Sequence, residues 1–250
     1  QSPSVNVSLL GLNEFSNISK CIAAARENLG EIVSACEFWD EKSMRLVTRE
    51  TETKNPLGRN FPFYLLVETR GTNEAHDEEK MSAFVNQVCA LSNVDGVMAQ
   101  DAKQVSALWK IRESITVALK HSKGYTYKYD LSLPSTASMK ETTDRVAERL
   151  RGDYPEAKVY QFGHIFDGNL HLNVWYPSYD AGLRKVIEDT AYAFVTANRG
   201  SISAEHGIGQ LKLSSLEHSK PSTAIKLMQE LKGIFDPKSV LNPGKVIPPS

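Results

Sequence analysis

Cysteine, net charge and long apolar runs are all scarce in this sequence, and each shortage excludes a class of protein. The 250 residues include three cysteines, Cys21, Cys36 and Cys89, and no CxxC pair. A disulfide framework or a thiolate zinc site is therefore not expected, and a reducing compartment fits better. Lysine and arginine number 29 against 30 aspartate and glutamate, which argues against a nucleic-acid binder. No stretch approaches the ~20 apolar residues of a membrane-spanning helix.

Short β-rich runs alternate with amphipathic helical patterns along the chain. This alternation predicts an α+β fold, with an antiparallel, ferredoxin-like and duplicated sheet flanked by helices and a small C-terminal helical part. The first residue is Gln1 and no signal-peptide pattern follows it. We therefore expect either that a leader has been removed or that this is a piece of a longer chain.

A helix predicted from about Asp101 to Lys120 carries an arginine on its apolar stripe. Arg112 and Thr116 are four residues apart and so share a helix face, on or beside that stripe. An inward guanidinium needs an anionic partner, because burying it unpaired costs several kcal/mol. That partner is either an internal Asp or Glu or the carboxylate of a ligand, and the helix alone favours neither.

The segment Val159 to Tyr176 places two histidines on a predicted hairpin. Asp167-Gly168 is a strong two-residue turn signal, and such a turn sets His164 opposite His171. Opposed residues have Cβ atoms roughly 5 Å apart on one face, so the two imidazoles could hold one divalent metal ion. Asn173 follows on the same face. The alternative is two stacked histidines without a ligand.

A third polar cluster lies in Ser201 to Lys212, SISAEHGIGQLK. Glu205 offers a carboxylate ligand and His206 a proton acceptor, and both can reach one site only if the backbone turns there. The glycines that follow favour such a turn. GIGQLK matches neither nucleotide-binding glycine pattern, and glycines that simply end a strand remain the alternative. Two histidines, one glutamate and an open position are typical of a catalytic zinc site.

Several motifs resemble one known family in both sequence and order. They are GHIFDGNLHLN at Gly163–Asn173, SAEHGIG at Ser203–Gly209, DPKSVLNPGKV at Asp236–Val246, WKIRESIT at Trp109–Thr116 and YKYDLSLP at Tyr127–Pro134. Together they resemble the C-terminal domain of FAD-linked 2-hydroxyacid dehydrogenases. The resemblance runs from about Val5 to the end and is closest to the mitochondrial branch that oxidises D-2-hydroxyglutarate. One residue departs from the family pattern GHxGDGN: Phe166 replaces a glycine, which puts the turn and the metal geometry in question.

The resemblance implies a role for each candidate residue. His164, His171 and Glu205 would hold Zn²⁺ or a similar divalent ion that makes the substrate's 2-hydroxyl more acidic. His206 would take that proton as general base while the C2 hydride leaves for the flavin. The substrate-binding residues would be Arg112, Thr116, Lys128 and Asn173, with Lys128 as the second cationic anchor that a dicarboxylate needs.

The resemblance also implies the organisation and setting of the whole enzyme. Residues 1–212 would form the substrate or cap domain and residues 213–250 its C-terminal helical segment. FAD would bind mainly to a separate N-terminal domain whose glycine-rich signature is not found here, so this chain alone should be inactive. An electron-transfer flavoprotein would be the acceptor and the mitochondrion the location.

Two alternatives differ in substrate or in class. A cytochrome-linked D-lactate dehydrogenase or a glycolate oxidase subunit shares the histidine and glutamate motifs. The set Arg112, Thr116 and Lys128 favours the dicarboxylate enzyme instead. A non-catalytic binding module, marked by Phe166, is the second alternative, and the intact set His164, His171, Glu205 and His206 argues against it.

Overall fold

Strands and helices alternate in the computed structural model of the chain, which describes residues 4–91 and 93–248. The first and last residues of the predicted domain division, 1 and 250, lie outside these ranges. The strands are β1 (Ser4–Leu12), β2 (Val33–Asp40), β3 (Phe63–Gly71), β4 (Val94–Met98), β5 (Tyr125–Ser132), β6 (Lys158–His164) and β7 (Asn169–Tyr176). The helices are α1 (Ser16–Leu29), α2 (Glu41–Glu50), α3 (Glu74–Cys89), α4 (Ala102–His121), α5 (Thr136–Asp153), α6 (Ala181–Ala197), a 3₁₀ helix (Leu213–His218) and α7 (Ser222–Phe235).

All seven strands form one antiparallel sheet in the order β4-β1-β3-β2-β6-β7-β5. The first four strands have the order 4-1-3-2 of a ferredoxin-like unit. The second half repeats it, since Ser201 and Ser203 form isolated bridges to the outer side of β5 and stand where a fourth strand would. The two units join where β2 pairs with β6. The predicted antiparallel, duplicated sheet with flanking helices is therefore confirmed.

The two faces of the sheet differ in what covers them. Helices α1, α3, α5 and α6 pack on one face over the larger hydrophobic core. Helices α2 and α4 pack on the opposite face over a smaller core, which includes Trp39, Tyr160 and Phe162. Beyond these side chains, β5, β6 and β7 present polar residues on that second face, and the candidate site lies there.

The C-terminal part is helical, as predicted, but α7 is only loosely joined to the rest of the chain. Of its own residues only Ile225 is buried. Its apolar stripe faces solvent, with Leu231 57% and Phe235 81% exposed. Asp236 ends the helix, where its carboxylate accepts hydrogen bonds from two backbone N–H groups. No helix in the described ranges is both long and apolar enough to cross a membrane.

Candidate functional site

The two predicted ligand histidines lie on neighbouring strands, but in a different register from the predicted one. A four-residue turn at 165–168 replaces the two-residue turn, so His164 opposes Asn169 and Phe162 opposes His171. A register change of two residues leaves every side chain on its face. The imidazole rings of His164 and His171 are therefore still adjacent, with centroids 5.2 Å apart and nearly perpendicular planes.

Phe166 does not disturb this arrangement. It is not among the residues with a positive φ angle, whereas Gly168 takes φ 65° at the end of the turn. The Phe166 ring packs against the larger core on the other face of the sheet, 5.7 Å from the guanidinium carbon of Arg26. The turn therefore directs this ring to the face of the sheet opposite His164.

Glu205 brings the three histidines of the motifs together around one carboxylate oxygen. Its Oε1 lies 3.3 Å from the Nε2 of His171, 3.7 Å from that of His164 and 3.8 Å from that of His206. The rings of His171 and His206 stack with centroids 5.7 Å apart. The structure thus joins all three predicted metal ligands and the predicted base in one cluster.

A buried aspartate holds the turn that carries Glu205 and His206. The Oδ2 of Asp130 accepts the backbone N–H groups of both residues, each at 2.8 Å, and its Oδ1 accepts from Asn169 Nδ2 at 2.7 Å. Burial alone would raise the pKa of Asp130, but these hydrogen bonds outweigh it and the pKa is lowered. Gly207 follows with φ 78°, so the predicted backbone turn is present.

Sequence reasoning missed Asp130, although a signal was available. It is the acid in the YKYDLSLP motif and stands directly opposite His171. Ligand atoms of Asp130, His171, Glu205 and His206 all lie within 4.8 Å of one another. This group contains two of the three predicted ligands, and His164 lies beside it, with its Nε2 3.7 Å from Glu205 Oε1. Imidazole and carboxylate donors of this kind suit Zn²⁺ and similar ions, so the residues fit a divalent metal.

The pKa values of the two strand histidines shift in opposite directions. Burial lowers the pKa of His171 to about 4, helped by the charges of Arg112 and His164, so its imidazole is neutral at pH 7 and able to bind a metal. A hydrogen bond to Glu37 raises the pKa of His164.

Arg112 is buried, and its partner is internal. Its Nε donates to Glu37 Oε2 at 2.8 Å, and the other oxygen of Glu37 lies 2.6 Å from His164 Nδ1. The guanidinium carbon also lies 4.9 Å from the centre of the Phe162 ring. Its two terminal nitrogens make no hydrogen bond among the described residues, so they remain available to a ligand. Glu37 was not predicted, although it interrupts the otherwise apolar run CEFW of β2.

The other predicted substrate-binding residues differ in how far they are buried. Asn173 is buried, on the same face of β7 as His171. Lys128 pairs with Asn173 across β5 and β7, is exposed, and makes no hydrogen bond or ion pair among the described residues. Thr116, which was predicted to share a helix face with Arg112 on or beside the apolar stripe, is exposed to solvent, and its role in substrate binding stays a prediction. On α4, Thr116 lies outside the set of buried residues that form the apolar stripe.

Comparison with known proteins identifies relatives along the whole chain. The family described as "FAD linked oxidases, C-terminal domain" matches residues 1–246. D-2-hydroxyglutarate dehydrogenase, mitochondrial, of Danio rerio is 44% identical over 246 residues, which are 98% of this chain and 45% of that protein. A putative D-lactate dehydrogenase, mitochondrial, of Schizosaccharomyces pombe is 41% identical over 252 residues, covering 98% of this chain and 48% of that protein.

A solved structure shows the same fold at low sequence identity. The 4-ethylphenol oxidase from Gulosibacter chungangensis matches with a TM-score of 0.70 and 13% identity, over 99% of this chain and 55% of that one. The chain spans about half the length of the curated relatives that it matches.

Proposed function

We propose a function for this chain on the basis of its family. The chain belongs to the FAD-linked oxidases and corresponds to their C-terminal domain. Our proposal is that it forms the substrate- and metal-binding half of an FAD-dependent dehydrogenase that oxidises D-2-hydroxyglutarate to 2-oxoglutarate. Relatives named D-2-hydroxyglutarate dehydrogenase at 42–44% identity support this substrate.

The division of labour is part of the proposal. Residues 1–212 form the substrate or cap domain and residues 213–250 extend it as a helical segment, while FAD binds mainly to a part of the enzyme outside this chain. The 45% share of the Danio rerio protein that the chain covers leaves room for such a part. When bound, the flavin accepts the hydrogen at C2 as a hydride. The isolated chain should therefore have no dehydrogenase activity.

The observation that carries the proposal is the convergence of three imidazole Nε2 atoms on Glu205 Oε1, within 3.3–3.8 Å. His164, His171 and Glu205 would hold a divalent ion there. Such an ion acts as a Lewis acid that makes the substrate hydroxyl more acidic.

We assign the general base to His206. Its side chain is 57% exposed, against 34% for His164 and 10% for His171, so it is the imidazole that an incoming substrate meets most easily. The backbone hydrogen bond from His206 to Asp130 fixes its position. In this role the imidazole accepts the proton of the 2-hydroxyl.

Positive charge near the cluster selects the substrate's carboxylates. Arg112 offers its terminal nitrogens to one carboxylate, and Asn173 orients the same end of the substrate. Lys128 lies two residues along β5 from Asp130, which is about 7 Å at the rise of a β-strand. It can therefore reach the second carboxylate of a dicarboxylic acid, and we keep the exposed Thr116, one turn along α4 from Arg112, as a further substrate contact.

The cellular setting follows from the names of the relatives. Those of Danio rerio, Rattus norvegicus and Arabidopsis thaliana are all called mitochondrial, and we propose that location for this protein. We propose an electron-transfer flavoprotein as the acceptor that reoxidises the flavin.

The experiment is a turnover assay of the full-length, flavin-loaded protein with D-2-hydroxyglutarate, D-lactate and glycolate. We expect a higher kcat/KM with D-2-hydroxyglutarate. We also expect His206→Ala to lower kcat by at least ~100-fold while the flavin content stays the same. His76→Ala is the matched control, because His76 is equally exposed, with 54% of its side chain accessible, and lies at the start of α3.

Three other outcomes would each overturn part of the proposal. A preference for D-lactate or glycolate would contradict the role of Lys128 and favour the function named for the Schizosaccharomyces pombe relative. Flavin binding without oxidation of any 2-hydroxyacid would show a non-catalytic binding module. Near-normal turnover of His206→Ala would remove this residue from the base role.

A further inference from the structure

Glu37 connects the buried arginine to one of the proposed metal ligands. It lies on β2, next to the junction of the two sheet halves, and is 4% exposed. Its Oε2 accepts from Arg112 Nε at 2.8 Å, and its Oε1 lies 2.6 Å from His164 Nδ1. The other ring nitrogen of His164, Nε2, faces Glu205 Oε1 at 3.7 Å. One carboxylate therefore contacts both Arg112, the proposed substrate-binding cation, and His164, a proposed metal ligand.

We propose that Glu37 is a positioning residue that selects the tautomer of His164 and thereby makes Nε2 a metal ligand. This inference rests on the proposed function, which places the metal at His164, His171 and Glu205. A neutral imidazole carries one proton, and only the nitrogen without it has the lone pair that a metal needs. In metal sites, the hydrogen-bond partner of the ring nitrogen that does not bind the metal commonly sets this choice.

The choice follows from the donors and acceptors around Glu37. A carboxylate only accepts hydrogen bonds, and an arginine Nε only donates them. With one oxygen taken by Arg112, the other oxygen accepts a proton from His164 Nδ1. The proton of the neutral ring is then on Nδ1, and Nε2 carries the free lone pair on the side of Glu205.

The variant Glu37→Gln keeps the size of the side chain and changes its hydrogen-bonding groups. A glutamine has nearly the same volume, but it offers one acceptor and one donor group instead of two acceptors. Arg112 cannot become an acceptor, so the amide oxygen turns to Arg112 and the amide NH₂ turns to His164. His164 must then present Nδ1 as the acceptor and carry its proton on Nε2, where it blocks the metal.

Glu68 provides a matched control on the same face of the sheet. It lies on β3, is 3% exposed, and likewise accepts from an arginine Nε and from a ring N–H, those of Arg70 and Trp109, both at 2.7 Å. Glu68→Gln therefore disturbs a similar buried carboxylate without contact to any proposed ligand. A loss of metal affinity that comes only from weakened packing would be the same in both variants.

The first measurement is the ¹⁵N–¹H NMR spectrum of the imidazole rings in the metal-free chain at pH 9, where an ordinary histidine is neutral. The His164 signals are identified by their loss in His164→Ala. We expect a protonated Nδ1 in the wild type and in Glu68→Gln, and a protonated Nε2 in Glu37→Gln. A wild-type His164 with its proton on Nε2, or no change in Glu37→Gln, overturns the proposal.

The second measurement is a Zn²⁺ titration of the same chains by calorimetry. We expect Glu37→Gln to bind Zn²⁺ about 10–100-fold more weakly than the wild type. This is the usual loss of metal affinity when the hydrogen-bond partner of a metal-binding histidine is removed. Glu68→Gln should bind as the wild type does. Equal affinity in all three chains overturns the proposal. If the wild type takes up no Zn²⁺, the metal part of the proposed function fails, and the NMR comparison alone decides the role of Glu37.

Discussion

Asp130 is the residue whose removal should alter the candidate site most, although it contacts the proposed metal ligands largely through their backbone. Its side chain is fully buried and accepts three hydrogen bonds, from the N–H groups of Glu205 and His206 and from the amide of Asn169. Asp130→Ala removes all three acceptor interactions at once. The segment that carries Glu205 and His206 then loses its anchor to β5.

The magnitude follows from the number and type of these bonds. A hydrogen bond to a charged group contributes about 1.5–3 kcal/mol. Glu205 and His206 are exposed residues whose part-buried N–H groups can bond partly to water instead, so we expect Asp130→Ala to lower the free energy of unfolding by about 3–5 kcal/mol. Asp130→Asn keeps one oxygen for the two backbone groups. The amide of Asn169 can rotate to meet the new NH₂, because its Oδ1 is buried and has no hydrogen-bond partner among the described residues. This variant should lose only about 1–2 kcal/mol.

Urea unfolding followed by circular dichroism measures both variants. With a slope of about 1–3 kcal/mol per M, the midpoint should fall by on the order of 2 M for Asp130→Ala and clearly less for Asp130→Asn. Hydrogen exchange supplies the local test, because the amides of Glu205 and His206 should exchange much faster in Asp130→Ala only. If these two amides exchange at the wild-type rate in Asp130→Ala, the anchoring role of Asp130 is refuted.

Three further predictions concern charged residues in and near the site. Arg112→Met leaves Glu37 buried without its cation and should lower the free energy of unfolding, measured by urea unfolding, by about 3–5 kcal/mol. The control Arg45→Met breaks a surface ion pair and should lower it by less than ~1 kcal/mol. Equal losses in the two variants would contradict this prediction. In the full-length protein, Lys128→Ala should lower kcat/KM for D-2-hydroxyglutarate by ~10–100-fold and leave that for D-lactate nearly unchanged; a uniform loss would exclude its selective role. Because hydrogen bonds lower the pKa of Asp130, its contribution to stability is present above the unfolded pKa of about 3.9 and is lost as the pH falls through the lower folded value. The stability difference between wild type and Asp130→Asn should therefore shrink below about pH 4, and a difference that grows there would contradict the assignment.

The sequence was sufficient to predict the architecture and the shared face of the two strand histidines, because both depend on periodic patterns. The turn that carries Glu205 and His206 has no such period and was expected only from the glycines that follow it. Alternation along β7 places Leu170, Leu172 and Val174 in the core and His171 on the other face, whatever the hairpin register. The error of two residues in that register therefore did not separate the histidines. The exact turn could not be predicted, since a four-residue turn with Gly168 at its end also fits the sequence.

The residues that sequence reasoning missed make contacts between distant segments. Glu37 and His164 are 127 positions apart, and Asp130 and His206 are 76 apart. Only the pairing of β2 with β6 and the return of residues 201–206 along β5 bring them together. Local patterns identified Arg112 as a buried cation in need of an anion, but not which anion it meets. Arg112 is buried and Thr116, four residues later on α4, is exposed, so a spacing of four residues does not guarantee equal burial.

The measurement that tests the central claim most directly is a calorimetric titration of the chain with Zn²⁺, beside His171→Ala and the control His76→Ala. His171 is the most buried of the clustered imidazoles, and its pKa of about 4 leaves it free of competing protons at pH 7. We predict one ion per chain in the wild type and in His76→Ala, and loss of that binding in His171→Ala. Unchanged binding in His171→Ala, or no binding in any of the three proteins, would contradict a metal site at His164, His171 and Glu205.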